Sequence, residues 1–260
     1  MKDYSFIISL MEWSHSRINL YRTCPYAWFS QYIIREDNFS NFFSEYGTFI
    51  HDLLAQFYKN EITRDEMVML YITQFKTEVA SRVRAKTFDS MREKYYDAGL
   101  DYIQTFEPFK FSKILGVEKK VRFKISEYLF TGFIDLCGEH ENGDIEIIDH
   151  KSAEIKPRSK KKEPTKTDEE LDEKFIQLYL YSIAIFDEYG KYPKYLTFNS
   201  FRNGKIIREE FDPEKLEVAK DWAVRTIKRI EKDKSWNPNI DFYFCKNLCN
   251  SRNTCEYNND

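Results

Sequence analysis

Apolar and polar positions change their rhythm twice along this chain. Up to about residue 106 the apolar positions recur every three or four residues, the spacing of a buried helical face. Ser14 to Ile34 reads as two helical pieces broken before Pro25, because proline is accepted in a first helical turn, and the break leaves Cys24 at the junction. Phe43 to Tyr58 puts Tyr46, Ile50, Leu53 and Phe57 on one face and predicts a buried helix. Thr63-x-x-Glu66 is a capping box opening a helix to about Val83, and a further helix covers Ser90 to Phe106.

The period then falls to two. Val121, Phe123 and Ile125 alternate with Arg122 and Lys124; Leu129 to Leu136 is apolar around Gly132; Ile145, Ile147 and Asp149 alternate again. Three strands in meander order are expected. A polar, cationic loop follows, carrying Lys156, Arg158, Lys160, Lys161, Lys162 and Lys166, and Thr167-x-x-Glu170 reads as the capping box of a helix to about Phe186. Tyr195 to Phe201 and Lys205 to Arg208 flank Arg202-Asn203-Gly204, a hairpin signal. Asp212-Pro213 caps a last helix to about Lys232, with Leu216, Ala219, Ala223, Ile227 and Ile230 inward. After Trp236 the chain is irregular and rich in cysteine. The fold class is therefore α/β.

No Gly/Ser- or Pro-rich linker divides the 260 residues, so one domain over 1–260 is expected: a helical elaboration about 14–110, an α/β core about 113–210 and a C-terminal helix with its cysteine segment about 212–260. A chain that is 42% hydrophobic, with 22 Phe and 18 Tyr, can fill a sizeable core. Phe6 to Met11 is too short for a leader segment and no run approaches a membrane span, which points to a cytoplasmic protein (the host's cytoplasm, for a viral chain). A net charge of −3 excludes a protein basic in bulk, so any polyanion site must be local. Disulfides are not expected in that compartment, and five cysteines leave one over. Cys24 and the run Cys245-x3-Cys249-x5-Cys255 make a four-thiolate ligand set from both chain ends, while Cys137 reads as core.

Strand geometry sends Asp149 and Lys151 to one face and His150 to the other, and Asp135, placed at the end of the preceding strand, reaches the same edge. Two carboxylates so placed suit Mg²⁺ or Mn²⁺, with Lys151 orienting a water or meeting charge that builds on phosphorus. Alone, Asp-x-Lys is also what a solvated surface pair looks like. Gly47-x3-His51 and Gln177-x3-Tyr181 sit on neighbouring helices, and each by itself is also compatible with an ordinary amphipathic helix.

Together, Gly47-x3-His51, Gly132-x-x-Asp135, Asp149-x-Lys151 and Gln177-x3-Tyr181 resemble, in this order, the motifs of the RecB-like branch of the PD-(D/E)XK nuclease superfamily. The resemblance spans roughly residues 14 to 255. It implies a restriction-endonuclease-like core, a central mixed sheet flanked by helices. It implies that His51, Asp135, Asp149 and the backbone carbonyl of His150 bind Mg²⁺ or Mn²⁺, that Lys151 is the catalytic lysine, and that Gln177 and Tyr181 shape the site and the nearby DNA strand. Glu118 is a further acid, but its strand neighbours point to a surface role. The cysteine set resembles the [4Fe–4S] domains of AddB and of CRISPR-associated and phage members. Thiolates also suit zinc, although the Cys-x2-Cys hooks usual for zinc are missing. One departure is that three residues, where two are common, separate Cys245 from Cys249.

The expected activity is metal-dependent hydrolysis of DNA, exonucleolytic and favouring single-stranded ends, in recombination, repair, phage DNA processing or CRISPR adaptation. The cationic loop, mobile when free, would meet phosphates. With no Gly-x4-Gly-Lys-Ser/Thr loop the chain has no motor of its own, which leaves room for a helicase or a CRISPR integrase as partner. The alternatives are a partner-dependent nuclease subunit and a non-catalytic DNA-binding protein with an iron–sulfur or zinc centre.

Overall fold

In a computed structural model, residues 3–36, 39–83 and 88–258 are described. Strands β1 (Lys113–Ile125), β2 (Tyr128–Glu139), β3 (Ile145–Lys151), β4 (Tyr195–Ser200) and β5 (Lys205–Glu210) form one sheet in sequence order. Neighbours are antiparallel except β3 and β4. A parallel pair needs a crossover, and the helix Lys166–Tyr189 supplies it. In chain order the helices are α1 (Ser5–Ser9), α2 (His15–Thr23), α3 (Pro25–Phe29), α4 (Phe42–Tyr58), α5 (Arg64–Glu78), α6 (Phe88–Thr105), α7 (Lys166–Tyr189) and α8 (Pro213–Lys232).

Helices cover both faces of the sheet. On one, α2, α3, α7 and α8 pack with Ile147, Phe198 and Phe130; on the other, α4, α5 and α6 pack with Leu136, Ile148 and Phe201. A helix-covered sheet explains why β3 is buried along nearly its whole length. Ile134 and Leu136 belong to opposite cores although two residues apart, so β2 changes faces at Asp135.

Three elements differ from the sequence expectation. β1 begins at Lys113, because its first half is only partly covered and so carries no apolar alternation. α5 stops at Glu78, with the Val79 N–H returning to Phe75, rather than continuing to about Val83. The capping box of α7 is Thr165 with Asp168, two residues before Thr167 and Glu170. The Asp168 carboxylate accepts the Thr165 N–H, the Thr165 hydroxyl and also the Ser159 N–H, all at 2.7 Å, so the earlier frame satisfies a loop donor that the later one would leave alone.

Candidate active site and thiol site

Three carboxylates fall on one rung across β1, β2 and β3. Val117 pairs with Leu136 and Lys119 with Ile134, which sets Glu118 across from Asp135. The β2–β3 ladder ends at Leu136 and Ile148, and one rung further Asp135 lies across from Asp149. Past that rung the Asp135 carboxylate accepts the His150 N–H at 2.6 Å. Asp135 thus sits inside β2, where it parts from β3, and not at the end of its strand. The third acid is a correction: Glu118, expected at the surface, joins His51 and Asp135 in a group whose ligand atoms lie within 4.8 Å of one another. Its backbone has a φ of 50°, rare for a residue with a side chain and frequent at functional sites. No local sequence signal marks Glu118; only the strand register does.

α4 brings His51, whose Nδ1 is 3.4 Å from Asp135 Oδ2. The helix approaches closely because of Gly47, where an added Cβ would meet Ser152 Oγ at 3.3 Å. Lys151 Nζ lies 2.6 Å from Asp149 Oδ2 and donates to Gln177 Oε1 at 2.9 Å. Gln177 Nε2 in turn donates to the Tyr181 hydroxyl at 3.3 Å. Tyr181 closes over Gly132, where a Cβ would stand 2.5 Å from its ring, so that glycine is required by the close approach of α7. The His150 side chain points to the other face, where Nδ1 meets Asn199 Nδ2 at 2.9 Å and the ring stacks on Tyr58.

Electrostatically the site is short of positive charge. Burial, and then the charge of Asp149, push the Asp135 carboxyl well above the usual range. Glu118 is raised by burial and by the charges of Asp52 and Asp149. Burial lowers the His51 imidazole despite the opposing charge of Asp149, keeping it neutral and able to donate a lone pair. Asp149 Oδ2 is buried and accepts no well-aligned hydrogen bond although Lys151 is beside it. Three carboxylates, Asp149 among them, and one neutral imidazole fit Mg²⁺ or Mn²⁺.

The cationic loop leaves β3 just past Lys151 and is anchored through Ser159 and Thr165 on Asp168. Lys156, Lys160, Lys161, Lys162 and Lys166 are exposed. Arg158 differs: Glu209 and Asp172 hold it at 2.5 Å each, so its charge is largely matched within the fold.

Cys24, Cys245, Cys249 and Cys255 line one small cavity. Trp28 stacks on Trp236 at 5.3 Å and Ser30 Oγ meets Ser251 Oγ at 2.9 Å in the interior, joining the two chain ends. The extra residue between Cys245 and Cys249 is absorbed in a wide turn, Phe244–Leu248, in which the Cys249 N–H returns five residues to Phe244 C=O. Burial raises the Cys249 thiol to about 11, and the charges of Cys24, Cys255 and Cys245 push the same way. Four thiols that would repel one another as thiolates fit a bound metal centre. Cys137 is fully buried in the main core.

A sequence profile described as the PD-(D/E)XK nuclease superfamily matches residues 12–256. No curated protein matches the chain in sequence. Among solved structures, a protein from Eubacterium rectale described as a candidate exonuclease is similar with a TM-score of 0.51 at 10% identity, over 93% of this chain and 87% of that one. At such identity the likeness is one of fold. SSO0001 has a TM-score of 0.33 at 16% identity over 66% of this chain and 81% of its own. Among the described residues no helix is long and apolar enough to cross a membrane.

Proposed function

The chain belongs to the PD-(D/E)XK nuclease superfamily, and from that premise we propose a metal-dependent deoxyribonuclease of its RecB-like branch, acting exonucleolytically on single-stranded ends. The observation that carries the catalytic part is the rung of Glu118, Asp135 and Asp149, with His51 and Lys151 converging on it. Asp135, Asp149, Glu118 and His51, with the His150 carbonyl, would hold Mg²⁺ or Mn²⁺. Such an ion lowers the pKa of a bound water and draws charge from a phosphoryl oxygen.

The chain's own contribution is orientation. Asp149 and Gln177 fix the Lys151 ammonium from two sides, where it orients the attacking water or meets the charge developing on phosphorus. Tyr181, seated on Gly132, fixes Gln177. His51, whose imidazole burial shifts toward the neutral form, offers a ring nitrogen to the ion. Lys156, Lys160, Lys161, Lys162 and Lys166 offer phosphate contacts beside the site, with Arg158 holding their loop to β5 and α7. The exonucleolytic mode rests on the family resemblance and agrees with the description of the E. rectale protein.

Cys24, Cys245, Cys249 and Cys255 would hold a [4Fe–4S] cluster. What supports a shared centre is that all four cysteines line one small cavity, and the missing Cys-x2-Cys hooks favour the cluster over zinc. A cluster there cross-links the chain ends. The biological setting we favour is recombination, repair, phage DNA processing or CRISPR adaptation, with a helicase or integrase as partner.

The test is cleavage of end-labelled single- and double-stranded oligonucleotides with Mg²⁺, Mn²⁺ or EDTA, with iron, sulfide and zinc measured on the same sample. Absence of metal-dependent cleavage on either substrate would overturn the catalytic reading. One zinc and no iron would overturn the cluster alone.

A further inference from the structure

The turn before Cys245 exposes two aromatic rings on an ordered backbone. Phe242 and Tyr243 are 72% and 54% exposed, yet the Asp241 carboxylate accepts the Phe244 N–H at 2.7 Å and its carbonyl accepts the Cys245 N–H at 2.8 Å. A capped surface turn has no folding need for such rings, which gain nothing from water. Tyr243 also begins a row that continues into two half-buried rings. Tyr243 lies 6.4 Å from the ring of Phe43, and Phe43 lies 5.6 Å from Tyr95. Cations lie on these aromatics: Lys246 Nζ is 4.9 Å over Phe242, and the Arg202 guanidinium is 4.1 Å over Tyr95.

The row runs toward the metal-binding rung. Phe43 precedes His51 by two turns of α4, about 12 Å along the helix. Arg202 directly follows Phe201, whose N–H is bonded by the Lys151 carbonyl at 3.1 Å and whose ring is 5.8 Å from that of His51.

We propose that Phe242, Tyr243, Phe43 and Tyr95, flanked by Lys246 and Arg202, form a stacking track for the unpaired nucleotides of a strand whose end enters the catalytic site. Every base has a face that can lie on an aromatic ring, so the track reads no sequence, and the two cations meet the backbone phosphates. A blunt duplex keeps its bases stacked on one another and gains nothing from these rings. The track rests on the nuclease reading for its destination only.

The test is fluorescence anisotropy of the full chain in EDTA with labelled oligothymidylate and with a blunt duplex, across a salt series. Phe242→Ala with Tyr243→Ala should weaken single-strand binding by roughly a hundredfold with an unchanged salt slope, and duplex binding by less than about twofold. Tyr243→Trp should retain affinity while Tyr243→Leu should not, a difference that a merely structural residue would not produce. Metal content and thermal midpoint should match the parent. Equal losses on both substrates, no loss, or unchanged binding with a drop in oligomer mass would each overturn the track. Retained Mn²⁺-dependent cleavage with no effect of the variants sinks the track and spares the nuclease; ring-dependent binding without any cleavage does the reverse.

Discussion

Asp135 is buried, faces Asp149, has Glu118 on its other flank, and holds the His150 N–H. Its folded-state pKa lies above the unfolded value of about 3.9, so the stability this group favours is present below that value and is lost as pH rises through the folded pKa. The metal-free protein should therefore lose thermal stability from about pH 4 upward relative to Asp135→Asn, and Mn²⁺ should remove the difference; a pH series of melting curves with and without the ion checks it. Mn²⁺ binding should also release a proton, read by calorimetry in two buffers of different ionisation enthalpy. At the same scale, Glu118→Gln should weaken Mn²⁺ affinity at least about tenfold with the fold intact. Lys151→Ala should instead cut cleavage at saturating metal by roughly a hundredfold or more while DNA binding persists. Titration calorimetry and single-turnover assays separate these two losses.

Elements position these residues through close approaches and anchors. Gly47 lets α4 touch the segment after β3, and Gly132 lets α7 lie on β2. Asp168 ties the cationic loop to the start of α7, so Lys160, Lys161 and Lys162 project from a held backbone. Neutralising all three should lower DNA affinity and shrink the slope of log K against log salt by roughly two to three units, leaving cleavage at saturating DNA nearly unchanged. Binding measured across a salt series, beside saturated cleavage rates, tests this. An unchanged slope would place the DNA path elsewhere. Arg158 should behave differently, since its carboxylate partners sit in β5 and α7.

Across the whole molecule the tertiary task is to bring the two chain ends together. Trp13, Trp28 and Trp236 stack in series, and Asn41 and Arg252 tie backbone from the N-terminal part to the cysteine segment. A metal centre held by Cys24, Cys245, Cys249 and Cys255 would close a loop of more than 200 residues, restricting the unfolded chain by roughly 4–5 kcal/mol if the entropy of a disulfide is borrowed. If these thiolates hold the proposed cluster, Cys24→Ser should lose its iron and expose the segment after Trp236 to proteolysis, whereas Cys137→Ser should keep both properties. Metal analysis and limited digestion give the answer.

The sequence alone determined the elements whose signals are local. The helix from Asp212-Pro213 to Lys232 stands where its cap and apolar face put it, and Asp149 and Lys151 share a face because a strand alternates sides. Gly132 and Gly47 were visible as interruptions of apolar runs, and the reason for each is the neighbour it admits. Tertiary structure decided what depends on register and on distant partners. Glu118 becomes a candidate metal ligand only because β1 pairs with β2 in the register that sets it opposite Asp135, and the uncovered first half of β1 carries no periodicity from which that register could be read. The same holds for the α7 cap, where Thr165-x-x-Asp168 and Thr167-x-x-Glu170 read alike and the Ser159 N–H selects the former. Local signals reflect a residue's own backbone geometry and burial; the rung of acids and the aromatic row arise from contacts between segments far apart in the chain, which no single stretch of sequence encodes.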